Sequence, residues 1–218
     1  MVSADGCHAH ATIRTAWLYP LADNTVQGRP RQFDKDEALE AAMRVFWDRG
    51  FHGATCGELL SEMGINAGSM YAAFGDKESL FAQAMRLYVD EVTTRTGDIL
   101  SKPGSPLQNV RDLVGVWRQK FTEPGNRGCL ICLALVNGEG ADCEAVCIAR
   151  SARDSLTKRL EQCFREAGEQ GELPEGLDPL GAALFFANML QGLSVMARNG
   201  AKPRDLRAVV DTSLRLLD

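Results

Sequence analysis

The stretch Thr55-Cys56-Gly57-Glu58-Leu59-Leu60-Ser61-Glu62-Met63-Gly64-Ile65-Asn66-Ala67-Gly68-Ser69-Met70-Tyr71-Ala72-Ala73-Phe74-Gly75-Asp76-Lys77 decides the fold. Thr55 followed three residues later by Glu58 is a capping box, which starts a helix by satisfying its first free N–H groups. Gly64 ends that helix after about two turns, because glycine tolerates the positive φ of a tight turn. Asn66 caps a second short helix from Ala67 to about Phe74, and Gly75-Asp76 breaks it before a long helix capped by Asp76. Upstream, Asp34-Lys35-Asp36-Glu37 opens a supporting helix, whose Leu39, Ala42, Met43, Phe46 and Trp47 fall on one face, with Gly50 as its stop.

Two short helices across a glycine turn, backed by a longer one, form a helix-turn-helix suited to a DNA major groove. A recognition helix must be slim where it approaches base edges, and Ala67-Gly68-Ser69-Met70 supplies small side chains there. The hydroxyl of Tyr71 can reach a phosphate oxygen while its ring packs on the domain, and Lys77 adds a cation at the next helix start. Taken singly, Tyr71 is an ordinary half-buried aromatic and Lys77 a surface lysine; the spacing of all these features together carries the reading.

In these residues the chain resembles the TetR family of bacterial transcriptional regulators: Gly50-Phe51, Met63-Gly64-Ile65-Asn66, Gly68-Ser69-Met70-Tyr71, Phe74, and Gly75-Asp76-Lys77-Glu78-Ser79-Leu80-Phe81. The resemblance implies base-edge contacts from Ala67, Gly68, Ser69 and Met70, phosphate contacts from Thr55, Tyr71 and Lys77, and core positions for Phe46, Leu59, Ile65 and Phe74. One departure is Ala72-Ala73, where many relatives carry His or Asn, so a phosphate contact is expected to be missing. The family likeness further implies a homodimer on palindromic double-stranded DNA, acting as a repressor that a small-molecule inducer releases. The long fourth helix would transmit the signal by changing the spacing of the two readers.

The expected fold is all-α with about nine helices: an extension at 1–28, a helix-turn-helix domain at 29–80, and a helical ligand-binding and dimerisation domain at 81–218. Residues 1–28 mix Gly, Ala, Thr and His without a helical period and read as a mobile extension or an over-called translation start. Arg29 and Arg31 in Gly28-Arg29-Pro30-Arg31 offer an arm for a minor groove, the alternative being a solvated tail. The net charge of −5, and six Lys or Arg against eight Asp or Glu across 29–77, mean that attraction to phosphate must come from placement and helix N-termini.

Further helices are expected from Ser105-Pro106 to about Phe121, around Cys129–Val136, onward to about Ala167, and from Asp178-Pro179 and Lys202-Pro203. The last two carry Leu180, Leu184, Ala187, Leu190, Leu193 and Ala197, then Leu206, Val209, Val210, Leu214 and Leu217. These stripes either close one monomer's core or pair with a second copy, and periodicity cannot separate the two. Tyr88, Trp117, Phe121, Phe185, Phe186 and Met189 are candidates for an apolar ligand pocket, the alternative being plain packing.

Seven cysteines without a convincing signal peptide point to reduced thiols in a cytoplasm. Cys129 and Cys132 lie three apart and Cys143 and Cys147 four apart, each pair on one helix face. A regulator sensing oxidants, electrophiles or a soft metal through these thiols is therefore the alternative to a simple inducer, although buried cysteines more often serve as small hydrophobes. Cys7-His8-Ala9-His10 is too weak a pattern to hold a metal, so neither metal nor cofactor is expected. The longest purely apolar run, Cys129–Val136, falls short of a bilayer. Three histidines without a catalytic pairing argue against an enzyme, and a helical protein-binding adaptor is the remaining rival.

Overall fold

The computed structural model describes residues 33–137 and 143–218. The arm bearing Arg29 and Arg31, and the segment with Cys7, His8 and His10, lie outside them. Nine α-helices and no strand occur among the described residues: α1 (Lys35–Gly53), α2 (Cys56–Met63), α3 (Ala67–Phe74), α4 (Lys77–Leu100), α5 (Pro106–Thr122), α6 (Leu130–Asn137), α7 (Glu144–Glu169), α8 (Pro179–Arg198) and α9 (Pro203–Leu214).

The starts follow from side chains that cap them. Asp34 accepts from the N–H groups of Asp36 and Glu37 at 2.8 and 3.1 Å, Asn66 from Ser69 at 2.8 Å, Asp76 from Ser79 at 2.8 Å, and Ser105 from Gln108 at 3.0 Å. Each such cap is worth about 1 kcal/mol. At Thr55 both halves of the capping box form: Glu58 N–H donates to Oγ1 at 3.1 Å, and Thr55 N–H donates to the Glu58 carboxylate at 3.1 Å. Gly64 adopts φ 66°, ψ 25°, the left-handed turn that would strain any side chain. Gly50, read as a stop, instead makes a kink at φ 71°, ψ 174°, and the helix resumes for one further turn to Gly53.

Aromatic packing holds the first three helices together. The ring of Phe81 meets Phe46 at 4.8 Å and Phe51 at 5.3 Å, and Leu59, Met63, Met70, Phe74 and Leu80 are buried around them. Burying each large side chain contributes about 1.5–3 kcal/mol, enough together to hold helices too short to persist alone. The expected boundary between residues 80 and 81 falls inside α4, which runs unbroken out of the helix-turn-helix. Its first half buries Leu80, Phe81, Ala84, Met85 and Tyr88, and its second half Thr96, Ile99 and Leu100, so one rod belongs to both units.

In the larger unit α4 packs on α7, α7 on α8, and α5 on α7 and α9. Over an 18-residue window α8 reaches a mean hydropathy of 1.5, so by length and composition it is apolar enough to cross a bilayer, although small polar residues interrupt its apolar run. Its Ala182, Ala183, Phe186, Ala187, Met189, Leu193 and Ser194 are buried in the helical body. Leu180, Leu184 and Phe185 remain exposed on it, as do Val209 of α9 and Leu216 just past the end of α9.

Candidate nucleic-acid interface and regulatory cavity

Helix α3 divides into two faces. Met70 and Phe74 point into the core, whereas Ala67, Gly68, Tyr71 and Ala72 are exposed and Ser69 is half-buried. Met70, expected at base edges, is only 1% exposed and is corrected to a core residue, because position 70 shares the buried face with Phe74, one turn on. Ala67, Gly68 and Ser69 form a slim leading edge, with Ala72 one turn behind Gly68 on the same surface. The ring of Tyr71 does not pack on the domain as expected; it is 57% exposed and stands out beside that edge.

The two remaining phosphate candidates are differently placed. Lys77 is half-buried, its ammonium 4.6 Å from the centroid of Phe51, which aims the cation while leaving it near the α4 N-terminus. Thr55 is exposed, but its hydroxyl accepts from Glu58 N–H and donates to the Glu58 carboxylate at 3.0 Å. The Thr55 hydrogen bonds, with Arg49 adding a weaker attraction at 3.6 Å, hold the Glu58 carboxyl below the usual carboxylate range. A fixed negative charge thus sits where Thr55 was expected to meet a phosphate, and the cap fully occupies its hydroxyl.

Of the expected pocket residues, Tyr88, Trp117 and Phe121 line a cavity of about 100 Å³, together with Trp47, Lys120 and Cys129. The other three do not line it. Phe186 is buried against Phe164 with ring centroids 5.8 Å apart, Met189 is buried outside the lining, and Phe185 is 43% exposed. A second cavity of about 50 Å³ shares Val92, Thr96, Trp117, Cys129 and Leu190 with the first and adds Cys132. Cys129 therefore stands on the wall between two largely apolar spaces.

Four helices converge on that thiol. Cys129 precedes the first turn of α6, and its N–H donates to Ser194 Oγ of α8 at 2.7 Å. The approach is close enough that a Cβ on Gly128 would come within 2.9 Å of Ser194 O and Oγ, and Gly128 has φ 78°. The Cys132 thiol donates a hydrogen bond to Cys129, and this, with the Cys132 N–H, the Lys120 ammonium and the Tyr88 hydroxyl, outweighs burial and lowers the Cys129 thiol to about 6. The same hydrogen bond and burial push the Cys132 thiol up, while burial holds the Tyr88 phenol above its ordinary range, so both keep their protons.

The cavity also touches the DNA-reading unit. Trp47 of α1 meets Tyr88 edge-on at 4.9 Å, and Lys120 donates to Tyr88 Oη at 3.0 Å while lying 5.4 Å from the Trp47 ring. The buried indole N–H of Trp47 has no hydrogen-bond partner among the described residues. Arg198 at the end of α8 donates to the carbonyls of Trp47 and Asp48 at 2.7 and 2.8 Å, and Arg127 pairs with the Asp48 carboxylate at 2.7 Å.

Sequence reasoning missed Lys120, Ser194 and Arg198, whose partners lie 32, 65 and about 150 residues away, with no local pattern to mark them. Cys143 and Cys147 are half-buried at the start of α7. No group of three His, Cys, Asp or Glu side chains placed for a metal occurs among the described residues, so the four thiols do not gather into the metal site weighed above.

Comparison with known proteins agrees with this architecture. Residues 38–84 match the profile described as bacterial regulatory proteins, tetR family, and residues 106–212 the tetracyclin repressor-like C-terminal domain. The chain is 30% identical to the HTH-type transcriptional repressor ComR of Escherichia coli K12, over 87% of this chain and 91% of that protein. It is 32% identical to the HTH-type transcriptional repressor BdcR of the same strain, over 80% and 84%. Among solved structures, a cysteine-substituted CifR bound to 26-bp double-stranded operator DNA superposes with a TM-score of 0.75 at 36% identity, covering 86% of this chain and 98% of that one. The chain belongs to the TetR family of transcriptional regulators.

Proposed function

We propose that this DNA-binding transcriptional regulator is a cytoplasmic homodimeric repressor that reads a palindromic operator through α3 and lets go when a small molecule fills the cavity beside Cys129. The observation that carries the reading is the side-chain-poor edge of α3, with Ala67 and Gly68 exposed and Ser69 half-buried, flanked by the projecting Tyr71 and the aimed Lys77. A backbone can approach base edges closely only where side chains are this small, and the flanking hydroxyl and ammonium suit phosphates on either side. The cysteine-substituted CifR is complexed with double-stranded operator DNA, and ComR and BdcR are named repressors.

The exposed apolar side chains of Leu180, Leu184 and Phe185 on α8, Val209 on α9 and Leu216 just after it support dimerisation through α8 and α9. A ligand in the cavity would bear on Tyr88 and Trp47 and so on the tilt of α1 and α4. Release then needs no change in any DNA contact, only in the separation of two readers. Selection of bound sequences from random duplex DNA tests the reading: a two-fold symmetric site is expected, and enrichment of none overturns it.

A further inference from the structure

We propose that Cys129 is a covalent modification site for α,β-unsaturated carbonyl compounds, which enter the cavity between Trp47, Tyr88, Trp117 and Lys120 and induce release by adding to its sulfur. The proposal rests on the repressor reading above for its consequence, but its chemistry stands on three independent placements.

The nucleophile comes first. Cys129 is 5% exposed, yet it lines both cavities and is surrounded by donors, namely the Cys132 thiol and N–H, the Tyr88 hydroxyl and the Lys120 ammonium. Such a shell stabilises a thiolate, the reactive form, in a cavity whose walls are mainly apolar. Next is the lining: Val92, Ile99, Trp117, Phe121 and Leu190 offer an apolar wall for a carbon electrophile, with Glu91, Arg95 and Thr96 as the polar part of the same lining. Last is the oxygen site. Lys120 and the partnerless indole N–H of Trp47 line the same cavity as Cys129, and both can donate to a carbonyl oxygen as it gains charge.

The step balances without an oxidant. The sulfur lone pair forms a bond to the β-carbon, the C=C pair moves to the carbonyl oxygen, and the resulting enolate is held by the Lys120 ammonium and the Trp47 N–H. A proton, equivalent to the one the thiol released, then bonds to the α-carbon and the carbonyl re-forms, so the net change is addition of S–H across the double bond. The adduct displaces the Tyr88 hydroxyl from the thiol and with it disturbs Lys120, which is hydrogen-bonded to that hydroxyl. Because Tyr88 sits on α4 and both side chains pack on Trp47 of α1, the disturbance begins at the joint between the regulatory body and the DNA reader.

The experiment treats the full-length protein with cyclohex-2-en-1-one, or with cyclohexanone as the unreactive analogue. Adducts are mapped by peptide mass spectrometry, and binding is measured on the DNA site recovered by selection. One reagent molecule on the Cys129 peptide is expected, with operator affinity falling about tenfold or more as the adduct accumulates. Cyclohexanone leaves both unchanged, Cys129→Ser keeps its affinity in the enone, and Lys120→Met slows addition. The proposal is overturned if the enone modifies exposed Cys56 alone, or if cyclohexanone releases DNA equally well. It is equally overturned if the Cys129 peptide stays unmodified while hydrogen peroxide releases DNA through a Cys129–Cys132 disulfide. Adduct mapping needs no DNA, so a Cys129 adduct on a protein that selects no symmetric site would refute the repressor reading and not the chemistry.

Discussion

Arg198 at the end of α8 donates to the main-chain oxygens of Trp47 and Asp48 at 2.7 and 2.8 Å, tying the last turn of α1 before its kink to a helix of the regulatory body. These carbonyls are ones that a helix leaves without intrahelical partners as it ends, and a guanidinium satisfies two at once. Arg198→Ala is expected to cost about 1 kcal/mol of stability by chemical denaturation, the low end for a charged but exposed donor. Operator affinity is expected to fall about fivefold, because the reader's tilt is no longer held. Unchanged affinity would show that this tie does not set the tilt.

Tyr71 projects from α3 without packing, so Tyr71→Phe should leave folding intact while removing a hydroxyl from the DNA surface. A hydrogen bond to a charged phosphate is worth about 1.5 kcal/mol, roughly a tenfold loss of operator affinity in a titration. Lys77→Met should also weaken binding, and in addition lower the slope of log affinity against log salt by about one, since it removes a cation. Equal salt slopes in the two variants would argue against a Lys77–phosphate contact.

Met70 and Ser69 are neighbours with opposite expectations. Met70→Ala opens a hole in the helix-turn-helix core and should cost about 2–5 kcal/mol of stability. Ser69→Ala should change which bases the selected site prefers, with little effect on unfolding. A stable Met70→Ala protein with altered base preference would return Met70 to the DNA surface.

Phe185 is exposed on α8 with its ring edge-on to buried Phe186 at 5.3 Å, so Phe185→Glu places a charge in the expected dimer seam at the cost of one ring contact to the core. Sedimentation should show a monomer that keeps its helical circular dichroism and binds the symmetric operator at least about tenfold more weakly. A dimer that persists would move the interface elsewhere.

Acid should loosen the reader. The Ser79 N–H and hydroxyl hold the Asp76 carboxyl below its ordinary value, and the Thr55 donors do the same for Glu58. Groups lowered by folding stabilise it above their unfolded pKa, near 4, and lose that contribution as pH falls through their lowered folded values. Stability measured by denaturant should therefore drop as pH falls below about 4. Asp76→Asn, which still caps but does not titrate, should flatten the dependence.

The reader was legible because its signals are local. A cap and its donor lie three residues apart at Asn66, Asp76 and Thr55, and a left-handed glycine needs only its own backbone, so each pattern survives in a bare string of residues. Side-chain direction was less legible: four successive small or flexible residues, Ala67 to Met70, look alike as a groove-facing edge until packing turns one of them inward. The same holds for the pocket. Trp117 and Phe121 face the cavity and Phe186 does not, though all three are large apolar residues on amphipathic helices.

By itself, then, the sequence determined the helices, their caps, the helix-turn-helix and the likeness to the TetR family, all of which rest on spacings within a few residues. Tertiary structure alone decided that Trp47, Tyr88, Lys120, Cys129 and Arg198 meet at one joint. They arrive from α1, α4, α5, the start of α6 and the end of α8, and helical periodicity says which face of each helix is apolar but not which helix that face will meet.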